Sequence, residues 1–218
     1  MRERRIFVTQ DEIFDGTIIF SPANLHYLKN VLHFRSGDQL TMFDGKRRYE
    51  VVLEQDQEGE LIGKICTASE ENPDFPVKVR LAFGCVRPGP TEEIIRHGTE
   101  LGVESFFPLI LERSTRRPET ARARWGKIAA SACAQSGRII MPKVHDPMKL
   151  EAFLEVEDVG SCLIYLAPDQ TALPLGMILD VHASDCVTLL VGPEGGLTEQ
   201  EESLLAKKLR QRRLPPQA

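Results

Sequence analysis

Five residues, Gly-Pro-Glu-Gly-Gly at positions 192–196, have the composition of a ligand-binding loop. They follow an apolar run over residues 186–191, which predicts a strand. They precede Thr198, a predicted helix N-cap with Glu201 at capping-box spacing. Glycines between a strand and a helix let backbone amides approach a small ligand closely. Because glycine-rich turns also occur without any ligand, the spacing alone leaves both interpretations open.

The residue types in this loop indicate which ligands suit it. No Lys-Ser/Thr pair follows the glycines, and the Glu194 carboxylate would repel a polyphosphate, so the loop does not fit a nucleoside triphosphate. A carboxylate among glycines better suits hydroxyl groups, an adenine edge or a positive charge.

A second candidate site is the basic stretch over residues 113–143. A helix is predicted over residues 118–135, with an apolar stripe for the core and an adjacent polar stripe. The apolar stripe is Trp125, Ile128, Ala129, Ala132, Cys133 and Ser136, and the polar stripe is Arg124, Lys127, Ser131, Gln135 and Arg138. Arginine and lysine one turn apart suit phosphate contacts, and a glutamine suits a base edge. A solvated helix face explains the same spacing, so RNA binding stays a hypothesis here.

Other polar residues give weaker signals. Glu100, at the end of a predicted helix over residues 91–101, is a candidate carboxylate base or a plain surface residue. Five histidines and five cysteines show no metal-ligand spacing, and no cysteine pair has C-x-x-C spacing. The sequence therefore predicts no metal site, no disulfide framework and no Ser-His-Asp triad.

Composition sets the class of protein that must position these residues. The 218 residues are 42% hydrophobic and 27% charged, with a formal net charge of −5, as in ordinary globular proteins. No apolar run approaches the roughly 18 residues that span a bilayer, and no signal peptide is evident. We therefore expect a cytoplasmic protein with no membrane partner.

The order of the predicted elements changes near residue 70. Short strands over residues 5–9, 17–20, 39–43, 49–53 and 61–67, with one helix over residues 24–32, predict a small β-barrel. Residues 69–76 are polar and contain prolines, which indicates a linker. Beyond them, strands and helices alternate, which predicts an α/β domain with a mostly parallel sheet. We expect domains at residues 1–70 and 77–218.

Taken together, four motifs in this order resemble one family. They are Thr99-Glu-Leu-Gly-Val103, Glu112-Arg-Ser114, Ala134-Gln-Ser-Gly-Arg138 and Gly192-Pro-Glu-Gly-Gly196. The chain resembles the bacterial 16S ribosomal RNA uridine-N3 methyltransferases of the SPOUT (trefoil-knot) class over roughly residues 4–205. The N-terminal part looks like the PUA-like barrel of that family.

The resemblance implies transfer of a methyl group from S-adenosylmethionine to N3 of a uridine in the RNA of the 30S subunit, by a homodimer. The implied cofactor-binding residues are Leu190, Gly192, Glu194, Gly195 and Gly196. The implied RNA-binding residues are Arg113, Arg116, Arg124, Lys127, Gln135 and Arg138. Arg138 is our candidate for stabilising the uracil anion, because its charge is permanent. Glu100 is a second catalytic candidate, as the base.

One departure from the family pattern affects these expectations. Relatives continue past the last helix into a Leu-Gly-x-Arg-Ile-Leu-Arg-x-Glu-Thr-Ala type motif, and residues 207–218 do not match it. Because that motif completes the knot and part of the cofactor pocket, we expect an incomplete knot and impaired activity. Two alternatives therefore stay open: an RNA-binding protein without catalysis, and an enzyme that uses another adenine-containing cofactor.

Overall fold

The computed structural model describes residues 5–70, 77–114, 122–157, 161–167, 177 and 185–212. Its described residues form two compact units, of which the first comprises residues 5–70 and 130–141. The remaining described residues form the second unit. The sequence assigned residues 130–141 to the second domain, whereas Cys133 and Ile139 pack on Phe43 of the first unit.

The first unit contains a curled mixed sheet, a half-barrel of the PUA-like kind, which confirms the predicted fold. Its strands are β1 (Arg5–Phe7), β2 (Ile13–Phe14), β3 (Thr17–Ile19), β4 (Gln39–Phe43), β5 (Arg47–Gln55) and β6 (Leu61–Glu70). Their order across the sheet is β1-β4-β5-β6-β3-β2. The β1–β4 pair is parallel and the other pairs are antiparallel.

Alternation along the strands builds the core of this unit. In β5, Tyr49, Val51 and Leu53 are buried while the residues between them are not, as expected of a sheet with one covered face. The predicted helix over residues 24–32 is instead a short α1 (Pro22–His26), followed by a π-helical turn (Tyr27–Val31). Ser21 caps α1, since its hydroxyl accepts a hydrogen bond from the Asn24 amide.

The second unit is a parallel α/β sheet, as the alternating pattern predicted. Its strands are β7 (Lys78–Gly84), β8 (Ser105–Ile110), β9 (Lys143–Val144), β10 (Met148–Lys149), β11 (Cys162–Tyr165) and β12 (Cys186–Val191). The order is β10-β8-β7-β12-β11, with β9 also paired to β8, and every pair is parallel. Its helices are α2 (Pro88–Glu100), α4 (Leu150–Val156) and α5 (Glu199–Arg212). Helix α3 (Arg122–Ser136) begins in this unit, and its residues from 130 onward belong to the first unit.

Parallel pairing places the carboxyl ends of these strands at one edge of the sheet. Ligands of open α/β sheets bind outside that edge. The end of β7 at Gly84, the end of β8 at Ile110 and the end of β12 at Val191 all lie there. The sequence after β12 is the Gly-Pro-Glu-Gly-Gly loop, so the fold puts it where a ligand is expected.

The predicted knot depends on residues that lie outside the described part of the chain. Most of residues 168–184, between β11 and β12, and all of residues 213–218 are not described, so the predicted knot stays a prediction. Among the described helices, none has the length and apolar content needed to cross a membrane.

Candidate functional site

The glycine loop (residues 192–196) forms a tight turn at the end of β12. The Gly196 amide donates a hydrogen bond to the Pro193 carbonyl at 2.8 Å. Gly196 has a φ of +70°, a conformation that glycine adopts without strain. Within the loop, Pro193 is buried, whereas Glu194 and Gly195 are exposed. The loop therefore presents a carboxylate and open backbone to solvent.

Gly84 allows this loop to lie close to the sheet. A Cβ atom at Gly84 would come within 2.7 Å of the Pro193 nitrogen and 2.8 Å of its Cδ. It would also approach a side-chain methyl carbon of Leu111 to 3.1 Å. Any residue larger than glycine at position 84 would therefore break the contact with Pro193.

Arg113 holds the loop from the side of β8. Its Nη1 atom donates hydrogen bonds to the carbonyl oxygens of Gly195 at 2.7 Å and Leu197 at 3.1 Å. The methylene carbons of Arg113 also pack beside Gly195, where a Cβ would lie 3.4 Å from Arg113 Cδ. The resemblance assigned Arg113 to RNA, but the structure places its guanidinium on the predicted cofactor loop.

The predicted capping box at the start of α5 is confirmed. Glu201 accepts hydrogen bonds from the Thr198 amide at 2.9 Å and the Thr198 hydroxyl at 3.1 Å. The Glu201 amide in turn donates to the Thr198 hydroxyl at 3.4 Å. The other oxygen of Glu201 accepts from the Glu112 amide at 2.9 Å, so one carboxylate joins the helix start to the end of β8.

Leu190 does not line the open side of the loop. Its side chain is fully buried in the core, together with Ala82 and Leu205. Its carbonyl oxygen accepts a hydrogen bond from the Leu166 amide at 2.9 Å. The side chain of Leu190 is therefore not exposed at the loop, and its role in cofactor binding stays a prediction.

Among the predicted RNA-binding residues of α3, Arg124 and Lys127 differ in their surroundings. Arg124 makes a two-point ion pair with Glu92 of α2, at 2.7 Å for Nε–Oε1 and 2.9 Å for Nη2–Oε2. Lys127 and Ser131 are exposed on the same polar stripe. The helix thus presents the polar face that the sequence predicted, with part of its charge balanced by Glu92.

Gln135 and Arg138 belong to the first unit. Gln135 is exposed near the end of α3, and Arg138 is half-buried just beyond it. Between them, Gly137 has a φ of +84° and ends the helix. The guanidinium of Arg5 fills the space where a side chain of residue 137 would lie. Arg5 is thus a basic neighbour of the Arg138 segment that sequence reasoning missed.

Arg116 lies outside the described residues, so its predicted role stays a prediction.

Glu100 lies at the other edge of the sheet from the glycine loop. It ends α2, and the chain then enters β8 at its amino end, where the Glu104 amide bonds to the Val79 carbonyl. The Glu100 carboxylate is within 3.2 Å of His97 Nδ1 on the same helix. The fold of one chain therefore does not bring Glu100 and Glu194 together.

A cavity of about 360 Å³ opens beside the site, between the end of β8 and the first turns of α4 and α5. Its apolar lining is formed by Ile110, Leu111, Leu150 and Leu204. Its charged lining residues are Lys149 and three glutamates, Glu112, Glu151 and Glu201. No pattern in the sequence indicates this cavity, because its walls come from three separate segments. Within the described residues, no group of histidine, cysteine, aspartate and glutamate side chains has the arrangement of a metal site.

Comparison with known proteins gives the family of the chain. A family model described as an RNA methyltransferase domain matches residues 73–216. Ribosomal RNA small subunit methyltransferase E of Synechocystis sp. is 33% identical over 207 residues, 94% of this chain and 68% of that protein. The chain belongs to the ribosomal RNA small subunit methyltransferase E family.

Other proteins are similar to this chain in sequence or in structure. The Bacillus subtilis member is 28% identical over 224 residues, 95% of this chain and 86% of that protein. The crystal structure of the Neisseria gonorrhoeae member bound to S-adenosyl methionine has a TM-score of 0.80 at 27% identity, covering 95% of this chain and 86% of that one. A Legionella pneumophila methyltransferase in complex with the same cofactor has a TM-score of 0.78 at 26% identity, covering 95% and 87%.

Proposed function

We propose that this protein methylates N3 of a uridine in the 16S ribosomal RNA of the small subunit, with S-adenosylmethionine as methyl donor. The observation that carries the proposal is its likeness, over 95% of the chain, to a family member whose crystal structure holds that cofactor. The glycine loop, set at the carboxyl edge of the parallel sheet, supports it independently.

The residues of the loop fit S-adenosylmethionine by their chemistry. Gly196 leaves open space beside its backbone, since a Cβ there would meet nothing within 4 Å. A Cβ at Gly195 would instead meet Arg113 Cδ at 3.4 Å, and one at Gly192 would meet the Gly196 backbone at 3.6 Å. Glu194 is exposed, and within the described part of the chain no residue hydrogen-bonds or pairs with its carboxylate, so the carboxylate is available for hydroxyl groups or a positive charge. S-adenosylmethionine, when bound, supplies an electrophilic methyl group on a positively charged sulfur.

The protein has to align the acceptor nitrogen, uracil N3, with the methyl carbon and the sulfur of the cofactor. It also has to promote loss of the proton on N3. Uracil N3 carries a hydrogen, so it gains negative charge as that hydrogen leaves. We assign Arg138 to stabilise this charge, since a guanidinium stays protonated. Glu100 remains a proposed base as a carboxylate near a strand end, although its position at the opposite edge of the sheet from the glycine loop does not support this role.

RNA binding is assigned to basic and polar side chains of residues 113–138. Lys127 and Gln135 are exposed and suit a phosphate and a base edge, respectively. Arg116, Arg124 and Arg138 complete the proposed set. The PUA-like unit predicted at residues 1–70 would add to the RNA surface, and residues 77–218 would form the methyltransferase domain.

The remaining proposals follow from the family resemblance. We propose a homodimer that acts in the cytoplasm on the 30S subunit. Sedimentation at micromolar concentration tests the oligomeric state. A monomer that keeps methyltransferase activity would contradict the dimer proposal.

Transfer of radiolabelled methyl groups tests the function directly. The purified protein, incubated with labelled S-adenosylmethionine and under-methylated 30S subunits, is expected to label 16S RNA at one uridine N3. Arg138→Ala is expected to reduce the rate by about a hundredfold or more, the size typical of lost transition-state charge stabilisation. RNA binding without any label transfer would instead support the non-catalytic alternative.

A further inference from the structure

The geometry around Arg113 gives this residue a role that the family motifs did not indicate. Arg113 follows β8, whereas the glycine loop follows β12, and β7 lies between these two strands in the sheet. The Arg113 side chain nevertheless reaches two loop carbonyls, those of Gly195 and Leu197. One side chain therefore connects the carboxyl ends of two strands that are not neighbours.

Two other contacts hold the loop, one at its start and one just after its end. Gly84 ends the intervening strand, and its missing side chain leaves room for Pro193 at the start of the loop. After the loop, Glu201 holds both Thr198 and the Glu112 amide, next to Arg113. The loop is thus fixed at its start by packing and at its end by a capping carboxylate, with Arg113 bonded between them.

The direction of the hydrogen bonds matters for the loop's function. Because Arg113 engages the carbonyl oxygens of Gly195 and Leu197, these oxygens point toward its guanidinium. The peptide group between Gly195 and Gly196 is then held in one orientation by the guanidinium. A loop of three glycines has high backbone entropy without such restraint, and an ordered loop binds its ligand with a smaller entropic cost.

We propose that Arg113 is a positioning residue of the cofactor loop: it fixes the Gly195 and Leu197 carbonyls and thereby preorganises the backbone and Glu194 for S-adenosylmethionine. This inference rests on the proposed function. It replaces the RNA contact implied for Arg113 with an indirect role in cofactor binding.

Three variants test the inference in the full-length protein. Arg113→Ala removes both hydrogen bonds, and Arg113→Lys keeps the charge and part of the donor capacity. Arg96→Ala is the matched control, since Arg96 is an exposed arginine of α2 outside the proposed site. A thermal melt shows whether Arg113→Ala folds. If it does not fold, Arg113→Lys takes its place in the comparison.

Two measurements without RNA and one with RNA are compared. Hydrogen exchange of the Gly196 amide reports loop order, because that amide donates to the Pro193 carbonyl. Calorimetry gives the Kd for S-adenosylmethionine, and filter binding gives the Kd for a 16S RNA fragment. The Leu190 amide, in β12, is the internal reference for exchange.

We expect Arg113→Ala to speed Gly196 exchange and weaken S-adenosylmethionine binding about tenfold, as befits two lost charge-assisted hydrogen bonds. Arg113→Lys should recover part of that affinity, and RNA affinity should match that of Arg96→Ala. Unchanged exchange and cofactor affinity with weaker RNA binding would overturn the inference and restore the RNA role.

The proposed function has a separate point of failure. A wild-type protein that binds no S-adenosylmethionine would overturn it, together with the cofactor half of this inference. Gly196 exchange would still decide whether Arg113 orders the loop: an unchanged rate in Arg113→Ala contradicts positioning in either case.

Discussion

Arg124 of α3 and Glu92 of α2 face each other through a two-point ion pair, in which Nε and Nη2 each bond to a separate carboxylate oxygen. Glu92 is mostly covered, whereas Arg124 remains largely exposed. The pair therefore links α2 to the start of α3, within the second unit. It also balances one positive charge of the face that the sequence assigned to RNA.

This pairing predicts different effects for two basic residues of that face. Lys127→Ala should weaken binding to a 16S RNA fragment and lower the salt dependence of log Kd by about 0.7–0.9, the loss of one phosphate contact. Arg124→Ala should change that slope less, because its guanidinium is already bonded to Glu92. Filter binding over a range of salt concentrations checks both, and a larger slope change for Arg124→Ala would contradict the prediction.

Gly84→Ala is expected to displace the glycine loop. The added carbon would lie 2.7 Å from the Pro193 nitrogen, a backbone atom that cannot turn aside as a flexible side chain does. We expect weaker S-adenosylmethionine binding and a lower Tm, with overpacking costing about 1–3 kcal/mol. Gly89→Ala is the control, since its Cβ would meet nothing within 4 Å. Equal Kd and Tm values for the two variants would contradict the tight contact.

Much of the fold follows from local patterns in the sequence. The strand Cys186–Val191 begins and ends where its apolar run does, and the Thr198–Glu201 capping box marks the start of α5. Alternation of strands and helices predicted the parallel sheet, because neighbouring parallel strands need a crossover connection, which is usually a helix. These features depend on neighbours along the chain, which a sequence displays directly.

The contacts that the sequence did not reveal are between distant segments. Arg113 and Gly195 are 82 positions apart, and their hydrogen bond depends on the strand order. Likewise, Ile139 packs on Phe43, and residues 130–141 belong to the first unit, although residues 130–136 continue helix α3, which begins in the second unit. Periodicity identifies which face of a helix is buried, but it does not say against which partner.

Cysteine reactivity should separate buried from exposed thiols. Burial raises the pKa of Cys85 to about 11, and burial likewise raises that of Cys133 to about 11 although Arg138 opposes it. Cys66 is exposed. Since the thiolate is the reactive form, iodoacetamide at pH 8 should label Cys66 quickly and the other two only after unfolding. Peptide mass spectrometry checks this order, and fast labelling of Cys85 in the folded protein would refute it.

Glu12 should make the first unit sensitive to acid. Burial alone raises the pKa of this carboxyl, but hydrogen bonds from Thr9, Ser21 and Asn24 outweigh burial and hold the pKa below its usual value of 4.5. A lowered folded-state pKa contributes stability above about pH 4.5, and that stability is lost as the pH falls through the folded value. Glu12→Gln should therefore be about 1–3 kcal/mol less stable at pH 7, with a weaker loss on acidification than the wild type. Urea unfolding at pH 7 and below pH 4 measures both effects, with exposed Glu58→Gln as control, and parallel pH profiles for wild type and Glu12→Gln would contradict this role.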